Sequence, residues 1–300
     1  MKILFCSDGS NQAENAMRFG ALIAAACQAE TSILGISERA SQQDTVLQGL
    51  RKAQEILKEH NLNAELIIKA GRPVREIIKR TQETKYDLVV IGAVRKGFRG
   101  PLWMSARVNK IIESVEPPVL VVIGVRSALH RILLCTGGTD QADATVQFTG
   151  EIARSVNASV NLLHVLAEPP AVYANLVRSE DDTNKVLEAN TRLGRSLRHQ
   201  KKLLEKMSVP SEIRLKHGLV MDELLKELQR TEYDLVVTGS SPSKDRLRMY
   251  IMGNVTREIL NRADLPVLVV RSGTKREHGI SGLIHDLLDR SSNSPAVGSS

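Results

Sequence analysis

The sequence predicts two α/β domains in tandem, each a doubly wound five-stranded parallel sheet, on three observations. Short apolar runs alternate with helical patterns along the whole chain, as in βαβ units. The same blocks recur in the same order in both halves. At 300 residues the chain is about twice a common single domain.

The repeat fixes the elements one by one. Lys2-Ile-Leu-Phe-Cys-Ser-Asp-Gly-Ser10 matches Arg131-Ile-Leu-Leu-Cys-Thr-Gly-Gly-Thr139, an offset of 129. Lys85-Tyr-Asp-Leu-Val-Val-Ile-Gly92 matches Glu232-Tyr-Asp-Leu-Val-Val-Thr-Gly239 at 147, and Pro118-Val-Leu-Val-Val122 matches Pro266-Val-Leu-Val-Val270 at 148. Strands are expected near 2–7, 31–37, 64–69, 87–92 and 118–123 in the first copy. In the second they are expected near 130–136, 158–165, 211–217, 234–239 and 266–271. Ser10 and Asp140 read as caps of the first helices, and Gly71 and Gly218 close the third strands. The change of offset places 18 extra residues in the second copy, mostly between about 166 and 200, where a longer second helix and its entry loop would absorb them. The boundaries expected are 1–126 and 129–272, with a tail over 273–300. In that tail Ile280, Leu283, Ile284, Leu287 and Leu288 keep the spacing of a short amphipathic helix, which would dock on its own chain or on a partner.

Composition narrows the function. With 42% hydrophobic and 25% charged residues the chain is no disordered polymer. The 41 Lys and Arg against 34 Asp and Glu give +7, which permits anionic partners such as nucleotide phosphates or nucleic acid. Nucleic acid ranks low, because no helix-turn-helix or RNP-like signature is present and 3% aromatics offer no stacking platform. Cys6, Cys27 and Cys135 are odd in number and far apart, which fits a reducing compartment. Neither a signal-peptide h-region nor a membrane-length apolar run is seen, so a cytoplasmic location without membrane insertion is expected.

Ligands of doubly wound sheets bind beyond the carboxyl ends of the strands, where strand order reverses. The loop after the fourth strand lies there in both copies. Residues 93–110 carry +5 from Arg95, Lys96, Arg99, Arg107 and Lys110. Residues 240–257 carry +3 from Lys244, Arg246, Arg248 and Arg257 against Asp245. Glycines that admit a phosphate, followed by a helix N-terminus, suit an anion. A solubilising role for these basic runs stands beside that reading. Metal chemistry is not indicated, since the seven histidines show no HxH or HExxH spacing. His164 and His217 read as structural, and Cys6 and Cys135 as core residues.

The start at Ile3 to Ser10, Gly71 and Gly218, the doubled Tyr-Asp-Leu-Val-Val-x-Gly and the Pro-Val-Leu-Val-Val ends together resemble the universal stress protein family in a tandem form, over about residues 1–272. The resemblance implies an adenine-nucleotide α-hydrolase-like sheet of order 3-2-1-4-5, with the two domains paired near their fifth strands. Many members bind ATP through an acid after the first strand and a Gly-x2-Gly-x9-Gly-Ser/Thr loop after the fourth. Carried over by position, the first copy offers Asp8, Gly92, Arg95 and Ser105, with Arg95 at the second glycine and Ser105-Ala106 at Gly-Ser. The second offers Gly137 in place of the acid with Gly138 beside it, then Gly239, Gly253 and Asn254, with Pro242 at the middle glycine. Neither copy has the full set.

The resemblance therefore implies a non-catalytic signalling or protective module with ATP or another adenine nucleotide, and Mg²⁺, in at least one relaxed site. The alternative is a platform for partners with no cofactor, and a homodimer is open in either case. An enzyme reading rests only on Thr136-Gly-Gly-Thr-Asp140, which faintly resembles the phosphate loop of ATP pyrophosphatases. Slow ATP hydrolysis is the remaining catalytic option.

Overall fold

The computed structural model describes residues 1–93, 95–96, 103–166, 186–188, 190–242 and 250–271. The tail helix expected near 280–290 lies outside these residues, as do Arg99, Lys244, Arg246 and Arg248 of the basic loops.

The first copy runs β1 (Lys2–Ser7), α1 (Asn11–Ala26), β2 (Glu30–Ser37), α2 (Gln43–Glu59), β3 (Ala64–Ala70), α3 (Pro73–Glu83), β4 (Leu88–Gly92), the short strands β5 (Arg95–Lys96) and β6 (Trp103–Met104), α4 (Ala106–Ser114) and β7 (Val119–Val122). The second runs β8 (Arg131–Cys135), α5 (Asp143–Val156), β9 (Ser159–Leu166), α6 (Arg192–Lys206), β10 (Ser211–His217), α7 (Val220–Arg230), β11 (Leu235–Pro242), β12 (Tyr250–Ile251), α8 (Asn254–Arg262) and β13 (Val267–Arg271).

The main strands form one continuous sheet in the order β10-β9-β8-β11-β13-β7-β4-β1-β2-β3. Each copy alone follows 3-2-1-4-5 in parallel. The join is the one antiparallel step along this path, with Leu268 beside Leu120 and Val267 beside Val121. These runs are apolar on both faces because helices cover both. Each of these four side chains is fully buried, worth about 1.5–3 kcal/mol apiece. One core lies under α1, α2, α5 and α6, the other under α3, α4, α7 and α8, and each spans both copies.

Three expectations from sequence need correction. Asp140 does not cap a helix: it lies in a 3-10 turn, Asp140–Ala142, and α5 begins behind it at Asp143. A matching 3-10 turn, Ala40–Gln42, precedes α2. The second helix of the second copy is not longer, at 15 residues against 17 in α2, because the Thr191 hydroxyl accepts from Gly194 N (3.0 Å) and fixes its start. The extra residues therefore enter between β9 and α6. The hairpin β5–β6 and the short β12 paired to β11 add strands beyond the five per copy.

Ser10 does cap α1, accepting from Ala13 N at 3.3 Å. Gly71 (φ +149°) and Gly218 (φ +136°) end the third strands in a region of φ that favours glycine.

Candidate functional site

In the second copy the ends of β8, β9 and β11 and the start of α8 surround a cavity of about 410 Å³. The turn after β8 is held from within. Thr136 Oγ1 accepts from Gly138 N (3.1 Å) and donates to Gln200 Oε1 (2.8 Å), while Gln200 Nε2 donates to Thr139 O (3.0 Å) and Ser196 Oγ (3.2 Å). Gln200 is completely buried, so its amide is satisfied by this turn and by α6 alone. Across the cavity the Thr256 hydroxyl donates to Gly239 O (3.1 Å), which leaves Thr238 Oγ1 to donate to Thr256 Oγ1 (3.0 Å). His164 Nδ1 lies 2.9 Å from Thr136 O; a carbonyl only accepts, so Nδ1 carries the proton.

Four of the residues named from sequence line this cavity: Gly137, Gly239, Gly253 and Asn254. A Cβ on Gly137 or Gly253 would meet nothing within 4 Å, so both leave open space at the cavity. Gly253 is the N-cap residue of α8 with no side-chain cap, and the first amides of that helix are without a capping side chain. Gly138 is turned away: its φ is +67° and a Cβ there would overlap Leu193 of α6. Its amide is spent on Thr136, which removes it from any pyrophosphate loop of the kind the Gly-Gly pair suggested. Cys135 also lines the cavity, and desolvation pushes its thiol up to about 12, far from thiolate chemistry. The described lining holds hydroxyls, amides and one imidazole, and no carboxylate.

The first copy is built differently at the same edge. Asp8 is exposed and accepts from Ser10 N (3.0 Å), closing its own turn. Gly9 has φ +79°, and a Cβ on it would stand 2.6 Å from the Thr45 carbonyl oxygen of α2. A Cβ on Gly49 would in turn overlap Gly9 Cα, so the backbone of α2 rests on the turn. Gly35 gives way to Val46 and Leu50 of the same helix. Gly92 is occupied on the other side: a Cβ there would overlap the Gln12 carbonyl in the first turn of α1. Ser105 caps α4, accepting from Val108 N at 3.4 Å, and the backbone of Arg95 pairs with Met104 in the β5–β6 hairpin. These residues share one sheet edge, at the ends of β1 and β4, and are largely engaged in packing and capping.

The two copies also hold each other there. Met104 N donates to Asn261 Oδ1 of α8 at 2.8 Å, a buried bond from one copy to the other. Arg271 at the end of β13 donates to Ile112 O and Val115 O at the end of α4 (2.6 Å each), to Glu116 O (3.2 Å) and to Ser240 Oγ (2.9 Å). A buried guanidinium thus satisfies carbonyls that the end of α4 leaves without partners.

The sequence profile of the Universal stress protein family matches residues 1–122 and again 128–271. The chain belongs to that family. Universal stress protein Slr1230 of Synechocystis is 21% identical over 306 aligned residues, covering 90% of this chain and 99% of that one. Universal stress protein MJ0531 of Methanocaldococcus jannaschii is 24% identical over 48% of this chain and 84% of its own. Among solved structures, a universal stress protein from Archaeoglobus fulgidus matches with TM-score 0.69 at 15% identity, over 91% of this chain and 98% of that one. The fold is the same in both.

As a tandem universal stress protein, the chain has residues around this cavity that its motifs did not reveal: Thr145, Thr238 and Thr256 in the lining and Gln200 behind the turn after β8. Gln200, Thr145, Thr238 and Thr256 lie outside the family pattern quoted above. Superposing the copies finds them: at offsets of 129, 147 and 148 they stand opposite Ala53, Ala16, Ile91 and Val108, four apolar residues. Polar groups replacing core residues at one sheet edge are the signal. Among the described residues no group of three His, Cys, Asp or Glu is placed to hold a metal, and no helix is long and apolar enough to cross a membrane.

Proposed function

We propose that this universal stress protein holds an adenine nucleotide in the cavity of its second copy and serves as a non-catalytic protective or signalling module in the cytoplasm. The observation that carries the reading is the cavity itself, bounded by Gly137, Gly239 and the uncapped start of α8 at Gly253 and Asn254. Its volume of about 410 Å³ suits a small ligand. The phosphates lie against the first amides of α8, where the helix dipole and free N–H groups favour an anion. Gly253 and Gly137 leave the backbone open to close approach. The base and ribose lie toward Thr139 and His164, with hydroxyl and imidazole groups in place of the acid that Gly137 replaces. Since the described lining offers no carboxylate, Mg²⁺ arrives on the nucleotide's phosphates rather than on protein ligands.

Mass spectrometry of small molecules released from the purified protein, with a thermal shift in excess ATP and Mg²⁺, tests this. A released adenine nucleotide and a rise in melting temperature are expected. A ligand-free protein whose melt ignores ATP, ADP and AMP alike sinks the proposal.

The first copy favours a second role, that of a nucleotide-independent platform. There α2 lies on the Asp8-Gly9 turn, and Gly92 is used to seat α1. Asp8, Gly92, Arg95 and Ser105 then serve packing and capping within the first copy rather than a ligand site. Replacing Asp8 by Ala is expected to leave nucleotide binding unchanged.

A further inference from the structure

Among the described residues the strand β3 is the outer edge of the sheet in the first copy, bonded to β2 on one side only. Five of its seven residues are exposed, including Leu66 at 42% and Ile68 at 45%. Leu66 and Ile68 point to the same face, two residues apart, and flank the half-buried Ile67. Such an edge carries a row of unpaired N–H and C=O groups, which proteins ordinarily protect by charge, proline, bulges or covering elements.

The order of residues in this strand is self-complementary. Ala64-Glu-Leu-Ile-Ile-Lys-Ala70, turned end for end about Ile67, sets Glu65 opposite Lys69, Leu66 opposite Ile68 and Ala64 opposite Ala70. Residues directly opposite in an antiparallel ladder have Cβ atoms about 4.5–5.5 Å apart, close enough for these ion pairs and apolar pairs to form. Glu65 uses Oε2 for Ser32 (3.1 Å) and Arg80 (2.9 Å), and Lys69 has no ion pair among the described residues. We infer that β3 is a homodimerisation edge, where a second copy of this chain adds its own β3 in antiparallel register centred on Ile67. The two-fold contact is closed, so assembly stops at two.

The opposite edge shows what an edge looks like when it is protected. In β10, Ser211–His217, Arg214 stands where β3 has Ile67, so the same two-fold pairing would set arginine against arginine. Lys216, at the place of Lys69, is also taken within the chain, by Glu227 at 3.7 Å. Like charges directly opposite destabilise a ladder, which excludes β10 from the symmetric contact.

A strand edge of seven residues is a small interface, so the dimer is expected to be concentration-dependent, forming over about 1 to 100 µM. Light scattering on the full chain should give a mass rising from 33.0 kDa toward twice that value. Ile67→Arg, which copies the residue of β10, should hold the folded chain at the monomer mass, with a lower melting temperature because Ile67 packs against the core under α3. Lys69→Glu should weaken association about tenfold or more. Ile67→Cys, placed on the two-fold axis, should oxidise to a disulfide-linked dimer where the wild-type chain does not. A monomer at every concentration overturns the inference. So does a dimer that survives Ile67→Arg, or one that Ile67→Cys fails to link.

Discussion

Gly49 and Ser196 occupy the same place in the second helix of their copies, yet their surroundings differ. Around Gly49 the helix touches the Asp8-Gly9 turn backbone to backbone, and Val46 and Leu50 fill the space below Gly35. Around Ser196 the helix is joined to the turn by Gln200, and His164 stands where the first copy has Gly35. Five residues, 38–42, link β2 to α2, whereas twenty-five, 167–191, link β9 to α6. Beside the short link the helix rests on the turn; in the other copy Gln200 joins helix to turn and a cavity lies beside it. Two copies of one fold thus differ at one edge: glycine seats a helix in the first and lines a cavity in the second.

Glycine substitutions break this comparison most strongly. Gly92→Val drives a side chain into the Gln12 carbonyl, a clash that packing can relieve only by moving α1. It is expected to cost at least about 3 kcal/mol, or roughly 6–12 °C in a thermal melt. Gly253→Val meets open space and a φ of −60° that any residue adopts, so its melt should stay within about 1 °C of wild type. Its thermal response to nucleotide should vanish. Equal destabilisation by the two variants would contradict the division of roles.

Arg271→Leu tests the joint. Removing the guanidinium leaves the carbonyls of Ile112 and Val115 without their buried donor, at a cost of about 3 kcal/mol. Because each core spans both copies, unfolding should remain a single transition in calorimetry and move to lower temperature. A single transition at the wild-type temperature would show that the copies do not depend on this contact.

Gln200→Leu sharpens the second copy alone. It leaves the Thr136 hydroxyl without its acceptor and is expected to cost about 1–2 kcal/mol in chemical denaturation, with weaker nucleotide binding. If stability falls and affinity does not, the turn serves only the fold.

The smallest effect concerns Asp143 at the start of α5. Burial raises its carboxyl above the usual range, against the pull of His199 at 3.4 Å. The ionised form is therefore disfavoured in the folded state. Above the ordinary aspartate range the unfolded chain ionises first, so a penalty grows as pH rises toward the folded value and then stays constant. Asp143→Asn should stabilise the protein slightly at pH 7, and the gain should disappear at a pH where the wild-type carboxyl is protonated in both states.

The parts legible in sequence were those set by local pattern. Buried runs such as Val119–Val122 and Leu235–Val237 announced strands, and their doubling announced the tandem sheet. The cap at Ser10 was legible because it depends on three residues. Asp140 was misread because the 3-10 turn that delays α5 is decided by how the turn packs, not by the cap residue. In the candidate site, Gly137, Gly239, Gly253 and Asn254 were legible from the repeat, and the structure brings them to one cavity. The closure of the first copy was not, since the contact of Gly49 with Gly9 joins residues 40 apart through helix packing. Gln200 was hidden for the same reason, and only its register against Ala53 exposes it.

The division of roles between the copies is tested most directly by isothermal titration of the intact chain with ATP and Mg²⁺, beside Gly253→Val and Asp8→Ala. The account predicts one site per chain in the wild type, one in Asp8→Ala and none in Gly253→Val. Two sites per chain, or a site lost with Asp8 and kept with Val at position 253, would contradict it.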